Sequence, residues 1–312
     1  MADSLAALRI NRERLLQSFA RFNTIGATGR GGCNRQALTD EDKAGRDLFC
    51  EWAREAGCTV RVDGIGNLFA RREGDDSAAA SVLASSHIDT QATGGRFDGL
   101  YGVLAGLEVV RTLNDHGIRT RRPVEVAAWT NEEGCRFVPA MLGSGVFAGE
   151  HDMAFALSRT DAAGHSVGDE LDRIGYRGDH PVAPYPIHAA FEAHIEQGPI
   201  LENTRTTIGV VQGALGQRWF DVTVTGMAAD NRVAVRRGDM PVLAAMLAKA
   251  LGVGGDASLS AAIDRLAGAS ASKGLLDDHG KQVFEQLVKD LKSANGAAVV
   301  CCGTGDRKST RL

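Results

Sequence analysis

Between residues 81 and 129 the chain alternates between apolar runs and polar loops, in an order that restricts its fold more than any other feature. The apolar run SVLASS, from Ser81, leads into a polar loop. Apolar residues then recur at helical spacing from Gly99 to about His116, and a second apolar run spans Val124–Trp129. This order is typical of a mostly parallel sheet flanked by helices, in which polar residues at the carboxyl ends of strands form functional sites. We therefore expect an α/β fold with its chemistry at these strand ends.

Further elements are predicted on both sides of this unit. A helix is predicted over about residues 5–19, before a Gly-rich loop at 26–32. A second helix should begin at Thr39, where Asp42 three residues later completes a capping-box pattern. Short strands are predicted at Thr59–Val62, Asn67–Ala70 and Phe191–Ile195.

The character of the sequence changes in its last third. Polar and apolar residues alternate over Trp219–Thr225, which indicates an antiparallel sheet and hence a second domain. After about residue 230 the chain becomes rich in alanine, and helices are predicted there, one of them over about 275–293.

Composition restricts the classes of partner. The net charge of -4 and a pI near 6.1 offer no basic surplus for phosphates, so nucleic acid is not expected and a small molecule is. No stretch approaches the roughly 18 apolar residues of a membrane span, and the first residues do not resemble a signal peptide. Six scattered cysteines without a CxxC pair fit a reducing compartment, so a cytoplasmic location without membrane partners is expected.

Four segments place metal-ligand residue types at element ends. HIDT at His87, TNEEG at Thr130 and HIEQGP at His194 each end a predicted strand, and GGRFDGLYG places Asp98 just before a helix. One such segment alone would more often be structural. Together they indicate a metal site, because imidazole and carboxylate hold zinc and similar ions and a carboxylate can bridge two of them. The predicted ligands are His87, Asp98, Glu133 and His194.

These segments, in this order, resemble the N-carbamoyl-L-amino-acid hydrolase and allantoate amidohydrolase family, a branch of the dinuclear zinc aminoacylase and carboxypeptidase clan. The resemblance runs from LTDEDKAGRDLF at about Leu38 to IGVVQGALGQRWFDVTVTG, which ends at Gly226. It implies a zinc-exopeptidase-like α/β catalytic domain over residues 1–212 that lacks its closing segment. Residues 213–312 would form part of a smaller α+β lid, through which family members form homodimers.

The resemblance also implies a role for each site residue. His87 and His194 would bind one metal ion and Glu133 the other, with Asp98 bridging both. Asp89 would hydrogen-bond the imidazole of His87, Glu132 would be the general base, and Gln197 would contact substrate. The cofactor would be two divalent ions per subunit, Zn²⁺ first and Mn²⁺, Co²⁺ or Ni²⁺ as alternatives.

The implied reaction is cleavage of a linear ureido C–N bond by metal-activated water. N-carbamoyl-L-amino acids, 3-ureidopropionate and allantoate are the candidate substrates. An aminoacylase or dipeptidase of the same clan is the alternative activity.

The sequence departs from the family pattern after Gly226. Where family members continue with a run of the AHAGTTPM type, this chain reads MAADNRVAVRRGDM, with Asp230 in place of the histidine. In the family pattern, this histidine donates a hydrogen bond to the oxyanion that develops on the substrate. A carboxylate cannot do so at neutral pH. The family's last metal-ligating histidine also has no counterpart, and His279 is not expected to replace it. Two explanations of this departure are open: a truncated or chimeric reading frame, or a rebuilt C-terminal half. The end GDRKSTRL resembles translated sequencing-adapter sequence, which favours the first. A non-catalytic fragment is therefore the alternative to an active enzyme.

Overall fold

A five-stranded sheet lies at the centre of the described chain, which comprises residues 8–213 and positions 249, 282, 285, 288 and 289 of a computed structural model. Its order is β1-β2-β4-β3-β5. β3 is parallel to β4 and to β5, whereas β2 is antiparallel to both β1 and β4. The α/β class is confirmed, but the sheet is mixed rather than mostly parallel. The strands are β1 Thr59–Val62, β2 Leu68–Arg72, β3 Ser81–His87, β4 Val124–Trp129 and β5 Ile187–Phe191.

Seven helices of the described residues accompany the sheet. They are α1 Arg12–Phe22, α2 Asp40–Glu55, α3 Leu100–Asp115, α4 Leu142–Ala148, α5 Met153–Leu157, α6 Val167–Ile174 and α7 Ile200–Thr204. The first begins later than predicted, because the Asn11 side chain accepts the N–H of Arg14 and caps it there. Leu8, expected inside this helix, precedes it.

The second helix begins as predicted, but its capping box is only half formed. Oγ1 of Thr39 accepts the N–H of Asp42 at 3.2 Å. The Asp42 carboxylate does not return to Thr39. It accepts the N–H of Leu38 and Nε of Arg46, each at 2.8 Å, because it is the buried partner of that guanidinium.

Both faces of the sheet are covered. Leu68 and Val126 point to the larger core cluster, where α1, α2 and α3 contribute residues such as Phe22, Phe49 and Leu104. The alternate side chains Phe69, Leu83 and Ala127 point to a smaller cluster with Trp129, Phe147 and Tyr185. α3 connects the parallel strands β3 and β4, so the predicted strand–helix–strand unit is confirmed. The N-terminus of α3 lies at the same edge of the sheet as the carboxyl ends of β3 and β4.

The strand predicted at Phe191–Ile195 is displaced towards the N-terminus. It occupies Ile187–Phe191, where its last residue pairs with Ala84 of β3. Ile187 packs against the smaller cluster, whereas Phe191 is 65% exposed. The strand ends there because packing and pairing favour the earlier residues. His194 consequently lies in a loop three residues beyond the strand.

The described residues belong to two units: residues 8–207 to the first, and residues 208–213 with the five isolated positions from 249 to 289 to the second. The predicted domain boundary at 212/213 stays a prediction, because the alternation at Trp219–Thr225, Asp230 and His279 lie outside the described residues. Of the predicted Ala-rich helices, the structure describes positions 249, 282, 285, 288 and 289, and each of these is helical. Four cysteines of the described chain, Cys33, Cys50, Cys58 and Cys135, are free thiols. None of the described helices has the length and apolar character needed to cross a membrane.

Candidate metal centre

Three of the four predicted ligands converge at the carboxyl edge of the sheet. His87 is the last residue of β3, Asp98 precedes α3, and His194 follows β5. One ligand atom from each lies within 4.8 Å of the others. Oδ1 of Asp98 is 3.2 Å from Nε2 of His194 and 4.0 Å from Nε2 of His87. A carboxylate between two imidazole nitrogens is a donor set suited to a divalent cation.

Both imidazoles are held by backbone carbonyls at their other nitrogen. Nδ1 of His87 lies 2.9 Å from the carbonyl oxygen of Asp89, and Nδ1 of His194 lies 2.8 Å from that of Ile195. A carbonyl oxygen can only accept, so each Nδ1 donates its proton. This leaves Nε2 of both rings directed at Asp98, as a metal ligand requires.

Gly99 allows His87 to occupy this position. Its φ is +64°, and a Cβ atom placed on it would lie 2.3 Å from the His87 ring. Any other residue would therefore clash with a predicted ligand as well as strain the backbone. From the sequence, Gly99 is predicted only to begin a helix. Its position directly after the predicted ligand Asp98 is the feature that could have identified it as a site residue.

Glu132 and Glu133 point in different directions from the turn that follows β4. Asn131 has a φ of +53°, and its side-chain amide donates to the carbonyl oxygens of Phe137 and Pro139. Oε2 of Glu132 lies 3.3 Å from Nε2 of His87, and its side chain is 32% exposed. The turn therefore brings one of the two adjacent glutamates to the edge of the ligand cluster with access to solvent.

Glu133 has a buried oxygen without a hydrogen-bond partner. Its Oε2 accepts the side-chain amide of Gln91 at 3.1 Å, whereas its Oε1 is buried and accepts nothing. A buried, unpaired carboxylate oxygen is unfavourable unless a cation or another donor compensates it. Together with the His–Asp–His group, this oxygen fits the predicted metal ions. Gln91 is a site residue that sequence reasoning missed, and no pattern distinguished it from the surrounding polar loop.

The Asp89 side chain differs from the expectation. Its Oδ1 is 3.7 Å from Nδ1 of His87, beyond hydrogen-bond distance, and its backbone carbonyl holds the imidazole instead. The carboxylate accepts the N–H groups of Glu132 and Glu133, each at 3.3 Å. The side chain turns away from the ring because the loop after β4 presents two backbone donors to it.

Gln197 contacts the cluster through Asp98. Its Nε2 donates to Oδ2 of Asp98 at 2.5 Å, so the oxygen that does not face His194 is also occupied. A substrate contact for Gln197 stays a prediction.

Burial and neighbouring charges shift the pKa values of these groups. Burial raises the pKa of Asp89 to about 6 and that of Glu133 to about 7. The hydrogen bond to Asp98 raises the pKa of His194 to about 9. Burial alone would raise the pKa of Asp98, but the His194 hydrogen bond and both imidazoles lower it. The negative charges of the carboxylates and the positive charges of the imidazoles thus compensate one another. This is typical of sites where a cation can replace the bound protons.

Comparison with known proteins identifies the family of this chain. The model of the peptidase family M20/M25/M40 matches residues 83–300. The chain is 53% identical over 221 residues to an N-carbamoyl-L-amino-acid amidohydrolase of Rhizobium meliloti, an alignment that covers 71% of this chain and 53% of that protein. It is 33% identical over 217 residues to an allantoate amidohydrolase of Escherichia coli, with 69% and 53% covered.

A solved structure shows the same fold. The crystal structure of a hydantoinase/carbamoylase family amidase from Burkholderia ambifaria matches with a TM-score of 0.65 and 60% identity over 66% of this chain and 51% of that one. The chain spans about half the length of the relatives it matches. The family model match and these relatives show that the chain belongs to the peptidase family M20/M25/M40.

Proposed function

We propose that this chain forms the larger part of the metal-binding half of an amidohydrolase that cleaves a linear ureido C–N bond. The observation that supports this most directly is the convergence of His87, Asp98 and His194, with their ligand atoms within 4.8 Å of one another. Glu132 contacts His87 of this cluster, and the charges of His87 and Asp98 act on Glu133, whose Oε1 is buried and unpaired. This set can bind cations and exchange protons, the two capabilities that ureido hydrolysis requires.

Four residues would hold the ions. His87, His194 and Asp98 would bind one, and Asp98 and Glu133 the other. Bound divalent ions, with Zn²⁺ as the proposed metal, would supply Lewis-acid activation of water and of the ureido carbonyl. The carbonyls of Asp89 and Ile195 keep both imidazoles in the tautomer that presents Nε2.

Glu132 would transfer the proton. Its carboxylate accepts a proton from the attacking water, whose oxygen forms a bond to the ureido carbon. The bond from that carbon to the amino-acid nitrogen breaks, and Glu132 delivers the proton to this nitrogen. The products are a free amine and carbamic acid, which decomposes to ammonia and carbon dioxide. Asp89 holds the Glu132 backbone during these steps through its N–H.

The substrate class follows from the relatives. Those quoted above are named for N-carbamoyl-L-amino acids and for allantoate, which share a terminal ureido group. We include 3-ureidopropionate for the same reason. A cytoplasmic homodimer completes the proposal for the whole protein.

The function can be tested on the 312-residue chain. Purified protein would be loaded with Zn²⁺, Mn²⁺ or Co²⁺, and bound metal would be counted by elemental analysis. Release of free amino acid would then be compared for N-carbamoyl- and N-acetyl-L-alanine, with Glu132→Gln as the matched control. We expect close to two ions per chain and cleavage of the carbamoyl substrate, abolished by the substitution. Cleavage of acetyl substrate alone would identify an aminoacylase and reject the proposal.

A second candidate is a metal-binding fragment without turnover. Asp230 favours it, because the family resemblance places a histidine there that donates to the substrate oxygen, and a carboxylate cannot. One ion per chain without hydrolysis of either substrate would support this candidate against the active enzyme.

A further inference from the structure

Arg35 is a fully buried arginine that packs against the loop between His87 and Asp98. Its exposed fraction is 0%. Nε donates to the carbonyl oxygen of Ile88 at 2.7 Å, and Nη1 donates to that of Ile25 at 3.0 Å. The guanidinium therefore joins the segment before α2 to the first residue after the predicted ligand His87.

The backbone of the same segment pairs with this loop at two points. The N–H of Arg35 donates to Oγ1 of Thr90 at 2.7 Å, and the N–H of Thr90 donates to the carbonyl of Arg35 at 2.9 Å. Cys33 and Gly94 exchange two backbone hydrogen bonds, at 2.9 and 2.8 Å. Residues 33–35 thus fix residues 88, 90 and 94 of the loop.

The charge of Arg35 has an unusual environment. Among the described residues, no carboxylate forms an ion pair with it, although the charges of Asp42 and Asp89 act on it from beyond ion-pair distance. Its direct neighbours are carbonyl oxygens, the Cys33 sulfur at 3.1 Å and the ring of Phe22 at 4.8 Å. Burying a cation without a directly paired carboxylate is unfavourable. A role in positioning the loop accounts for an arginine at this place.

Asp89 connects Arg35 to the metal centre. It lies between the two residues that Arg35 holds, Ile88 and Thr90. Its carbonyl accepts Nδ1 of His87, and its carboxylate accepts the N–H groups of Glu132 and Glu133. Displacement of this one residue would alter the orientation of a predicted ligand and of the turn that bears both glutamates.

We propose that Arg35 is a positioning residue of the metal centre, which acts through Ile88, Asp89 and Thr90 on His87 and on the Glu132–Glu133 turn. The inference rests on the proposed metal-dependent function. Loss of a group that orients a metal ligand typically lowers metal affinity by about 10- to 100-fold. Arg35 touches neither the predicted ligands nor the substrate position, so it is not a catalytic residue.

Titration of the full chain with Co²⁺ tests this role. The dissociation constant and the visible absorption of bound Co²⁺, which reports ligand geometry, would be measured for wild type, Arg35→Met and Arg35→Lys. Arg61→Met is the matched control, because Arg61 packs against aromatic rings, as Arg35 packs against Phe22, but it pairs with Glu125 on the other face of the sheet. Urea unfolding would give the stability of each variant.

We expect Arg35→Met to weaken Co²⁺ binding by about 10- to 100-fold and to change its spectrum. Arg35→Lys should restore binding only in part, because it keeps the charge but loses the donor Nε. Arg61→Met should lower stability and leave affinity and spectrum unchanged. If folded Arg35→Met bound Co²⁺ as wild type does, or if Arg61→Met weakened binding equally, the positioning role would be rejected.

Thr90→Val is the second variant should Arg35→Met fail to fold. It removes the acceptor of the Arg35 N–H and nearly preserves volume. A weaker affinity is expected, and wild-type affinity and spectrum would overturn the proposal. Failure of the wild-type chain itself to bind Co²⁺ would instead reject the metal-dependent function and the positioning role together, so the two failures are distinguishable.

Discussion

Nε2 of His194 lies 3.2 Å from Oδ1 of Asp98, although His194 follows the edge strand β5 and Asp98 precedes α3. Asp98 also faces Nε2 of His87 and accepts the amide of Gln197. It is thus the residue that the other members of the cluster share, and its charge should dominate cation binding.

Asp98→Asn should therefore abolish most metal binding. The amide has nearly the same shape but lacks the negative charge, and we expect Zn²⁺ affinity to fall by more than about 100-fold, the upper range for loss of a supporting residue. Competition with a fluorescent chelator measures this. Asp115→Asn, at the other end of α3, is the control and should keep wild-type affinity; an equal loss there would contradict a specific role for Asp98.

Metal binding should strengthen as pH rises. The pKa of His194 is raised to about 9 and that of Glu133 to about 7, so both groups bind protons at pH 6 that a cation must displace. We expect Zn²⁺ affinity to increase between pH 6 and pH 8.5. Near pH 7, binding should release roughly one proton from His194 and a fraction from Glu133.

Calorimetry in buffers with different ionisation enthalpies counts these protons. His194→Ala should release fewer than wild type. A pH-independent affinity without proton release would show that these two groups do not bind the ion.

Gly99→Ala should disrupt the site far more than its effect on the backbone predicts. The added Cβ would lie 2.3 Å from the His87 ring, so the imidazole must move. Gly117→Ala is a matched control at the other end of α3, with a φ of +59° and nothing within 4 Å. Each substitution places an alanine at a positive φ and should for that reason lower the unfolding free energy by about 1–2 kcal/mol. Only Gly99→Ala should also weaken Zn²⁺ binding. Equal affinities for the two variants would contradict the clash.

The two adjacent glutamates should separate binding from proton transfer. Glu133→Gln removes the negative charge of the carboxylate whose Oε1 is buried and unpaired, and it should weaken metal binding. Glu132→Gln should retain metal affinity and lower kcat for a ureido substrate by about 100- to 10,000-fold, the usual effect of losing a general base. Chelator competition and amino-acid release measure the two effects. A loss of affinity in Glu132→Gln as large as in Glu133→Gln would refute this division of roles.

The buried ion pair between Asp42 and Arg46 should dominate the stability contributed by α2. Both side chains are almost completely buried and their atoms are 2.8 Å apart. Asp42→Asn leaves an uncompensated guanidinium, and we expect a loss of about 3–5 kcal/mol in unfolding free energy. Lys43→Met breaks the exposed pair with Asp47 on the same helix and should cost about 0.3–0.5 kcal/mol. Urea unfolding compares them, and similar losses would contradict the assigned difference.

The local sequence determined the elements that frame the site. β4 has the predicted bounds, β3 begins at the predicted residue, and α3 begins directly after Gly99, because apolar periodicity and a glycine before the helix are local signals. The types of ligand residue, and their places at the end of β3 and before α3, could also be identified from sequence. The same signals failed at β5, whose bounds depend on pairing with β3 and on packing of Ile187.

Tertiary structure decided how these residues meet. The sequence contains no signal that places β2 antiparallel to β4, that directs the Asp89 carboxylate to the amides of Glu132 and Glu133, or that brings Arg35 against Ile88. Each of these contacts joins residues distant in the chain, and its geometry depends on how strands pair and how loops pack across the edge of the sheet. Residue types can therefore be recognised as metal ligands from sequence, whereas the groups that orient them emerge only from the folded chain.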